Sequence, residues 1–205
     1  MTVIIAAKKE DEIIVGADKR VTSGDMILDE NSSKIIIKEF TIENIIEPIR
    51  RDEFLIAFSG VYSLFELLKT YKPPVMNHND TFFKYLHQDL IPSLNAYLRK
   101  YNFIQDCNGV DGVDWELLLV YQDKMYSIEY NLGIIEITSD YFASGTARDI
   151  AYGSLHTSKH LNHLESRVKK AICACAAHST KCNNHYDLYQ SKPTGENTWK
   201  IQKIE

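Results

Sequence analysis

The hydrophobic periodicity of this chain changes in blocks. Strand-like runs come first, then two helical stretches, more strands, two more helical stretches and a closing pair of strands. Short apolar or alternating runs read as strands, and apolar residues three and four apart read as helices. A parallel βαβ sheet needs strict strand–helix alternation, which this order lacks. Blocks favour sheets with helices laid over them, an α+β sandwich.

Residues 3–7 and 13–17 are apolar runs around the charged turn 8–12, a hairpin signature. A turn at Thr22-Ser23-Gly24-Asp25 leads to a strand over 33–38, and residues 39–52 read as a mixed, variable excursion before a buried strand at 54–58. Helices are expected over 62–71, closed by Pro73-Pro74, and over 82–101, capped by Asp80-Thr81 and kinked at Pro92. Strands at 115–121, 125–129, 133–137 and 141–143 follow, then helices at 146–155 and 161–179 and strands at 185–189 and 199–204. Residues 1–205 are read as one domain.

Charge and composition narrow the class of function. A net charge of −5 over 205 residues argues against nucleic-acid backbones and anionic membranes as partners. No run approaches the roughly 20 apolar residues a bilayer span needs. The N-terminal residues also lack a secretory signal, so the cytoplasm is the expected location. Cys107, Cys173, Cys175 and Cys182 form no CxxC pair and read as reduced thiols.

The chemistry concentrates at the start. Thr2 opens the first apolar run, Asp18 lies sixteen residues on in Gly16-Ala17-Asp18-Lys19-Arg20-Val21-Thr22-Ser23-Gly24, and Lys34 lies sixteen beyond that. Threonine is a weak nucleophile until a base takes its proton. A threonine that becomes N-terminal carries that base itself, since an α-amine titrates near ~7.7–8.0. A lysine held by a carboxylate lowers the amine further and stabilises negative charge. Taken singly, Thr2 is an ordinary strand residue, Asp18 a strand end and Lys34 a solvated edge lysine. The combination points to hydrolysis.

This block resembles the start of a proteasome β-type subunit of the N-terminal-nucleophile hydrolases, with both spacings matched without a gap. Phe58-Ser59-Gly60 followed by Leu64-Phe65-Glu66-Leu67 is similar to the bacterial two-component peptidase that works with an unfoldase ATPase. Ala143-Ser144-Gly145-Thr146 resembles that family's Gly-Ser-Gly turn, with Ala143 in place of a glycine.

The resemblance implies a four-layer αββα sandwich of two antiparallel sheets flanked by helices. It implies a threonine peptidase, with Thr2 as nucleophile and Lys34, held by Asp18, sustaining the charge. Gly60 would donate an N–H to the oxyanion, and Ser144 would hydrogen-bond the Thr2 amine; the plain alternative for Ser144 is a helix N-cap. Val21, Ser32 and Ile36 would line a pocket for apolar side chains.

No cofactor is required on this reading, although carbonyls at Ala176, Ser179 and Cys182 would hold a structural Na+ or Mg2+. Ser179 and Cys182 stand where proteasome β subunits carry an Asp and a Ser. Residues 39–52 insert several positions beyond the bacterial relative. The resemblance further implies self-association into rings, peptide or unfolded-protein substrates and an ATPase unfoldase as partner.

Only Met1 precedes Thr2. The expectation is therefore no self-cleaved propeptide, no α-type N-terminal helix, and removal of Met1 by an aminopeptidase that accepts a small second residue. Two rival functions share the fold: a silent β-type ring subunit and a non-proteolytic amidase. His156, His160 and His163, spaced i, i+4 and i+7, could face a metal from one helical side. The expected reading is solvated rim histidines.

Overall fold

The apolar runs at the start of the chain form the expected hairpin, β1 (Val3–Lys9) and β2 (Glu12–Asp18), turning at Glu10 with a positive φ of 55°. The structure is a computed structural model that describes residues 2–43, 49–107, 110–195 and 198–205. After the short exposed hairpin β3 (Val21–Ser23) and β4 (Met26–Asp29) come β5 (Ile35–Glu43) and β6 (Arg50–Gly60). Next are α1 (Tyr62–Thr70), β7 (Met76–Asn77), α2 (Phe82–Tyr85) and α3 (Ile91–Lys100). A small pair, β8 (Gln105–Cys107) and β9 (Val110–Gly112), precedes β10 (Trp115–Tyr121), β11 (Lys124–Ile128), β12 (Ile134–Ile137) and β13 (Tyr141–Gly145). The chain ends with α4 (Arg148–Thr157), α5 (Leu164–His178), β14 (Tyr186–Gly195) and β15 (Thr198–Lys203).

Two larger sheets result, in the orders β13-β1-β2-β14-β15 and β12-β11-β10-β6-β5-β7. The pairings are antiparallel except the short contact of β5 with β7. The fold is mixed α+β, with the segregated order that the sequence implied.

Side-chain alternation along each strand sorts the core into three clusters. Ile4 and Ala6 of β1 join Ile13, Val15 and Ala17 of β2, and these pack against Leu55, Ala57, Leu118 and Val120 of the second sheet. The alternate residues Val3, Ile5 and Ala7 pack with Val168, Ala171 and Ile172 of α5. Gly16 permits that approach: a Cβ there would lie 2.7 Å from both Leu188 and Val168. On the far face of the second sheet, Phe54, Ile56 and Phe58 pack with Leu64, Phe65 and Leu68 of α1 and with Tyr85, Leu94 and Leu98.

One expectation is corrected. Most of 39–52 is not an excursion but the arms of a long hairpin, with Ile35 to Ile42 paired to Ala57 back to Arg50; residues 44–48 lie outside the described ones. The alternation Lys38, Phe40, Ile42 carries it. Phe40 and Ile42 enter the helix-side cluster, and the buried Lys38 ammonium donates to Lys69 O and Tyr71 O at 2.8 Å each, capping α1.

Residues 82–100 are helical without a break, as expected, and the irregularity lies just ahead of Pro92. A π-helical turn, Leu86–Leu90, separates α2 from α3, whose second residue is Pro92. Proline has no N–H to give to the carbonyl four residues back, and a wider turn ahead of it relieves the crowding. Thr81 caps α2 as expected, accepting from the Lys84 N–H at 3.2 Å.

Candidate active site

Five strand ends meet at one edge of the paired sheets: the start of β1, the ends of β2, β6 and β13, and the start of β10. The register fixes this. Val3 lies opposite Gly145, Ile4 opposite Ala17, and Gly60 opposite Trp115. Lys34 arrives from the second sheet, where its carbonyl accepts the Phe58 N–H at 2.9 Å.

Thr2, Asp18 and Lys34 come together there. Thr2 Oγ1 donates to Asp18 Oδ1 at 2.6 Å. The same oxygen accepts the Val3 N–H at 2.9 Å and Lys34 Nζ at 3.1 Å, while Oδ2 accepts the Arg20 N–H at 3.0 Å. Lys34 Nζ also donates to Arg20 O at 2.6 Å. Thr2, Asp18 and Lys34 are 2%, 0% and 4% exposed, so water competes little for these bonds. Burial pulls the Lys34 ammonium below the ordinary lysine value, and the neighbouring Asp18 charge opposes that shift.

Above this cluster lies a cavity of about 820 Å³, within the range of small-molecule and peptide pockets. Thr2, Lys34, Gly60 and Val21 line it, together with Ser59, Gly145 and Thr146. Gly60 has φ +149°, and a Cβ there would sit 2.3 Å from Asp114 O, so the position is built for glycine. Gly145 has φ +91°, and a Cβ there would sit 2.2 Å from Thr2 O. The Thr146 N–H donates to Thr2 O at 2.9 Å, continuing the β1–β13 ladder past the last paired residue.

Of the other expected residues, Ser144 adjoins the lining residue Gly145, while Ser32 and Ile36 go elsewhere. Ser144 is buried in β13, and its hydroxyl donates to Glu116 Oε2. It is not a helix cap: α4 begins at Arg148 without a side-chain cap. Ser32 bonds Asp29 through its hydroxyl and does not line the cavity. Ile36 is opposite Ile56 and packs into the α1–α3 side, because one residue along a strand reverses the face. Val21 does line the cavity, with Leu28, Phe58, Val61, Val113 and Trp115 among its other apolar walls.

Ala176, Ser179 and Cys182 line a separate cavity of about 610 Å³ at the end of α5. The Ser179 carbonyl already accepts the Cys182 N–H at 3.3 Å, and the Arg20 guanidinium in the same cavity donates to Thr180 O at 2.8 Å. That guanidinium is paired with Glu30 Oε1 at 2.7 Å. No cation takes part in the chemistry below.

His156, His160 and His163 do not share a helix, since α4 ends at Thr157 and His163 precedes α5. Among the described residues no group of three His, Cys, Asp or Glu could hold a metal. None of their helices is long and apolar enough to cross a membrane.

Sequence reasoning missed Glu116 and Arg20. Glu116 left a trace, a lone charge in the apolar run Trp115 to Tyr121. Arg20 acts here through its backbone and left none.

No protein-family model matches this chain, and no curated protein matches it. Solved structures do match. A Thiobacillus denitrificans protein described as BPH, in complex with epoxomicin, aligns with TM-score 0.72 at 14% identity, covering 94% of this chain and all of that one. BPH without that compound aligns with the same score over 95% of this chain. A eukaryotic HslV from Trypanosoma brucei aligns with TM-score 0.60 at 15% identity, covering 92% of this chain and 98% of that one. The chain shares the fold of these proteins.

Proposed function

We propose that the chain is an N-terminal-nucleophile hydrolase of proteasome type, a threonine peptidase that uses Thr2 once Met1 is removed. The observation that carries this reading is the buried hydrogen-bonded set Thr2–Asp18–Lys34 at the floor of a large cavity. The three core clusters support the finer architecture, a four-layer αββα sandwich with α1–α3 outside one sheet and α4 and α5 outside the other.

In the mechanism, Thr2 Oγ1 turns its proton from Asp18 to the free α-amine and attacks the scissile carbonyl. Lys34 has three N–H donors, two of which bond Asp18 and Arg20 O, leaving one for the attacking oxygen. Asp18 holds Lys34 charged against the cost of burial. The N–H of Gly60 stabilises the oxyanion, and the amine returns its proton to the leaving group, which leaves the acyl group as an ester on Thr2 Oγ1. A water that gives its proton to the same amine then attacks this ester, and the amine reprotonates Oγ1 as the acid product departs. Val21 contributes an apolar wall for a substrate side chain.

By the same reading the substrates are peptides or unfolded proteins. The chain assembles into rings, and an ATPase unfoldase feeds them. A silent ring subunit would have no chemical need for the buried set, which favours the active reading.

The test is intact mass before and after epoxomicin, with Thr2→Ala as control. Loss of Met1 and one adduct, absent from the variant, is the expected result. Retained Met1, or an adduct that persists in Thr2→Ala, overturns the mechanism. Light scattering on the same sample reads ring size.

A further inference from the structure

Glu116 is the acidic side chain that joins the two sheets beside Thr2. It lies in β10 opposite Ser59, next to the Gly60–Trp115 pair. Its Oε2 accepts two hydrogen bonds from β13, the Ser144 hydroxyl and the Gly145 N–H at 3.1 Å. Its Oε1 faces the exposed Arg148 guanidinium at 3.5 Å. The next N–H, that of Thr146 just past the end of β13, holds the Thr2 carbonyl. Glu116 therefore fixes the segment that fixes the nucleophile.

The hydroxyl of Ser144 has one proton and two lone pairs. With the proton directed to Glu116, the oxygen can only accept. We propose that Glu116 is a positioning residue for the Thr2 amine: it anchors residues 144–146 and makes the Ser144 oxygen an acceptor for that amine. The proposal rests on the reading above in one respect, that Met1 is removed and the amine is free.

The consequence is electrostatic as well as geometric. A carboxylate acting through Ser144 favours the protonated amine, and Lys34 favours the neutral one. Asp18 is tied to Lys34, while Asp114 and Glu129 also line the cavity and Arg148 covers the outer oxygen of Glu116. The unsubstituted protein thus holds the amine between opposed charges, able to take the Thr2 proton and to give it up again.

The test titrates the Thr2 amine directly, through its 15N shift read from the Cα proton, in protein cleaved from a fusion that ends just before Thr2. Glu116→Gln keeps the shape and removes the charge. It is expected to lower the amine midpoint by about half to one pH unit, the size of one charge across a partly solvated site. Ser144→Ala is expected to lower it comparably, and the double variant no further than either single one, since both act through one link.

A melting temperature that falls in Glu116→Gln with an unmoved amine midpoint would mean a purely structural role and overturn the proposal. Ser144→Ala carries the test should Glu116→Gln fail to fold, and an unmoved midpoint there overturns it equally. Epoxomicin labelling of the same samples separates the two claims. A midpoint that shifts in a protein that never labels sustains the positioning role and removes the peptidase reading.

Discussion

Replacing Asp18 with asparagine isolates the electrostatic part of the site, because the side chain keeps its shape and loses its charge. Oδ1 accepts from Thr2, Val3 and Lys34, and Oδ2 accepts from the Arg20 N–H. Asparagine keeps an oxygen for the first three and turns its NH2 toward the Arg20 N–H, donor against donor. The Lys34 ammonium, buried, loses its counter-charge. Breaking a buried pair from one side costs about 3–5 kcal/mol, and an unsatisfied buried N–H about 1–3 kcal/mol.

The two costs overlap, and Lys34 escapes part of them by giving up its proton. The expected loss at pH 7 is therefore about 3 kcal/mol. Urea unfolding reads it as a midpoint lowered by about 1.5 M for a slope near 2 kcal/mol/M.

The pH dependence carries the reasoning. In the variant the folded-state pKa of Lys34 lies further below its unfolded value, so between the two the unfolded chain binds more protons and stability rises with pH. The gap to the unsubstituted protein should narrow by about 1 kcal/mol or more at pH 10. A loss under about 1 kcal/mol, or a gap unchanged between pH 7 and pH 10, would refute the account.

Four further outcomes are expected. If the Lys34 ammonium is needed, epoxomicin labelling should fall as pH rises with a midpoint below the ordinary lysine value near ~10.4, because burial lowers that group; a limb at or above that value contradicts it. Gly60→Ala should lose at least about 3 kcal/mol in urea unfolding, since it joins a positive φ to a backbone clash with Asp114 O. Lys38→Met, which strips the buried cap from α1, should lose about 1–3 kcal/mol, with helix-selective hydrogen exchange showing α1 loosened first. Cys173 is exposed, whereas burial pushes the Cys175 and Cys182 thiols up to about 12, so iodoacetamide mapping of the folded protein should modify Cys173 and spare those two.

How far the chain could be read in advance depended on distance. The hairpin β1–β2 was legible because its alternation is local, and its register sets Val3 beside Asp18. The spacing of Thr2 and Asp18 thus becomes a contact through one turn. The strand at 39–43 was not legible. The strand was read only as far as Lys38; beyond it Glu39, Thr41 and Glu43 dilute the apolar pattern. The pairing with Arg50 to Glu53 that carries the extension comes from elsewhere in the chain. The histidines at 156, 160 and 163 kept helical spacing across a break between two helices, which periodicity does not register.

The cavity walls show the same limit. Ile36 and Val21 are both apolar, but the face each presents follows from how β5 pairs with β6 and where β3 folds over the opening. Ser144 and Glu116 are 28 residues apart on different sheets, and nothing local in either predicts the other.

Local patterning in the sequence carried the segregated order of strands and helices and most of the longer elements, and the chain by itself put Thr2, Asp18 and Lys34 forward as candidates. The order follows from periodicity; the candidates follow from side-chain chemistry and from the resemblance of their block to a known family. The tertiary structure alone decided that Ser144 faces Glu116, that Ser32 and Ile36 leave the pocket, and that Arg20 closes the Asp18–Lys34 pair with its backbone. Those contacts depend on the offset between two packed sheets, and that offset is set by the whole core at once.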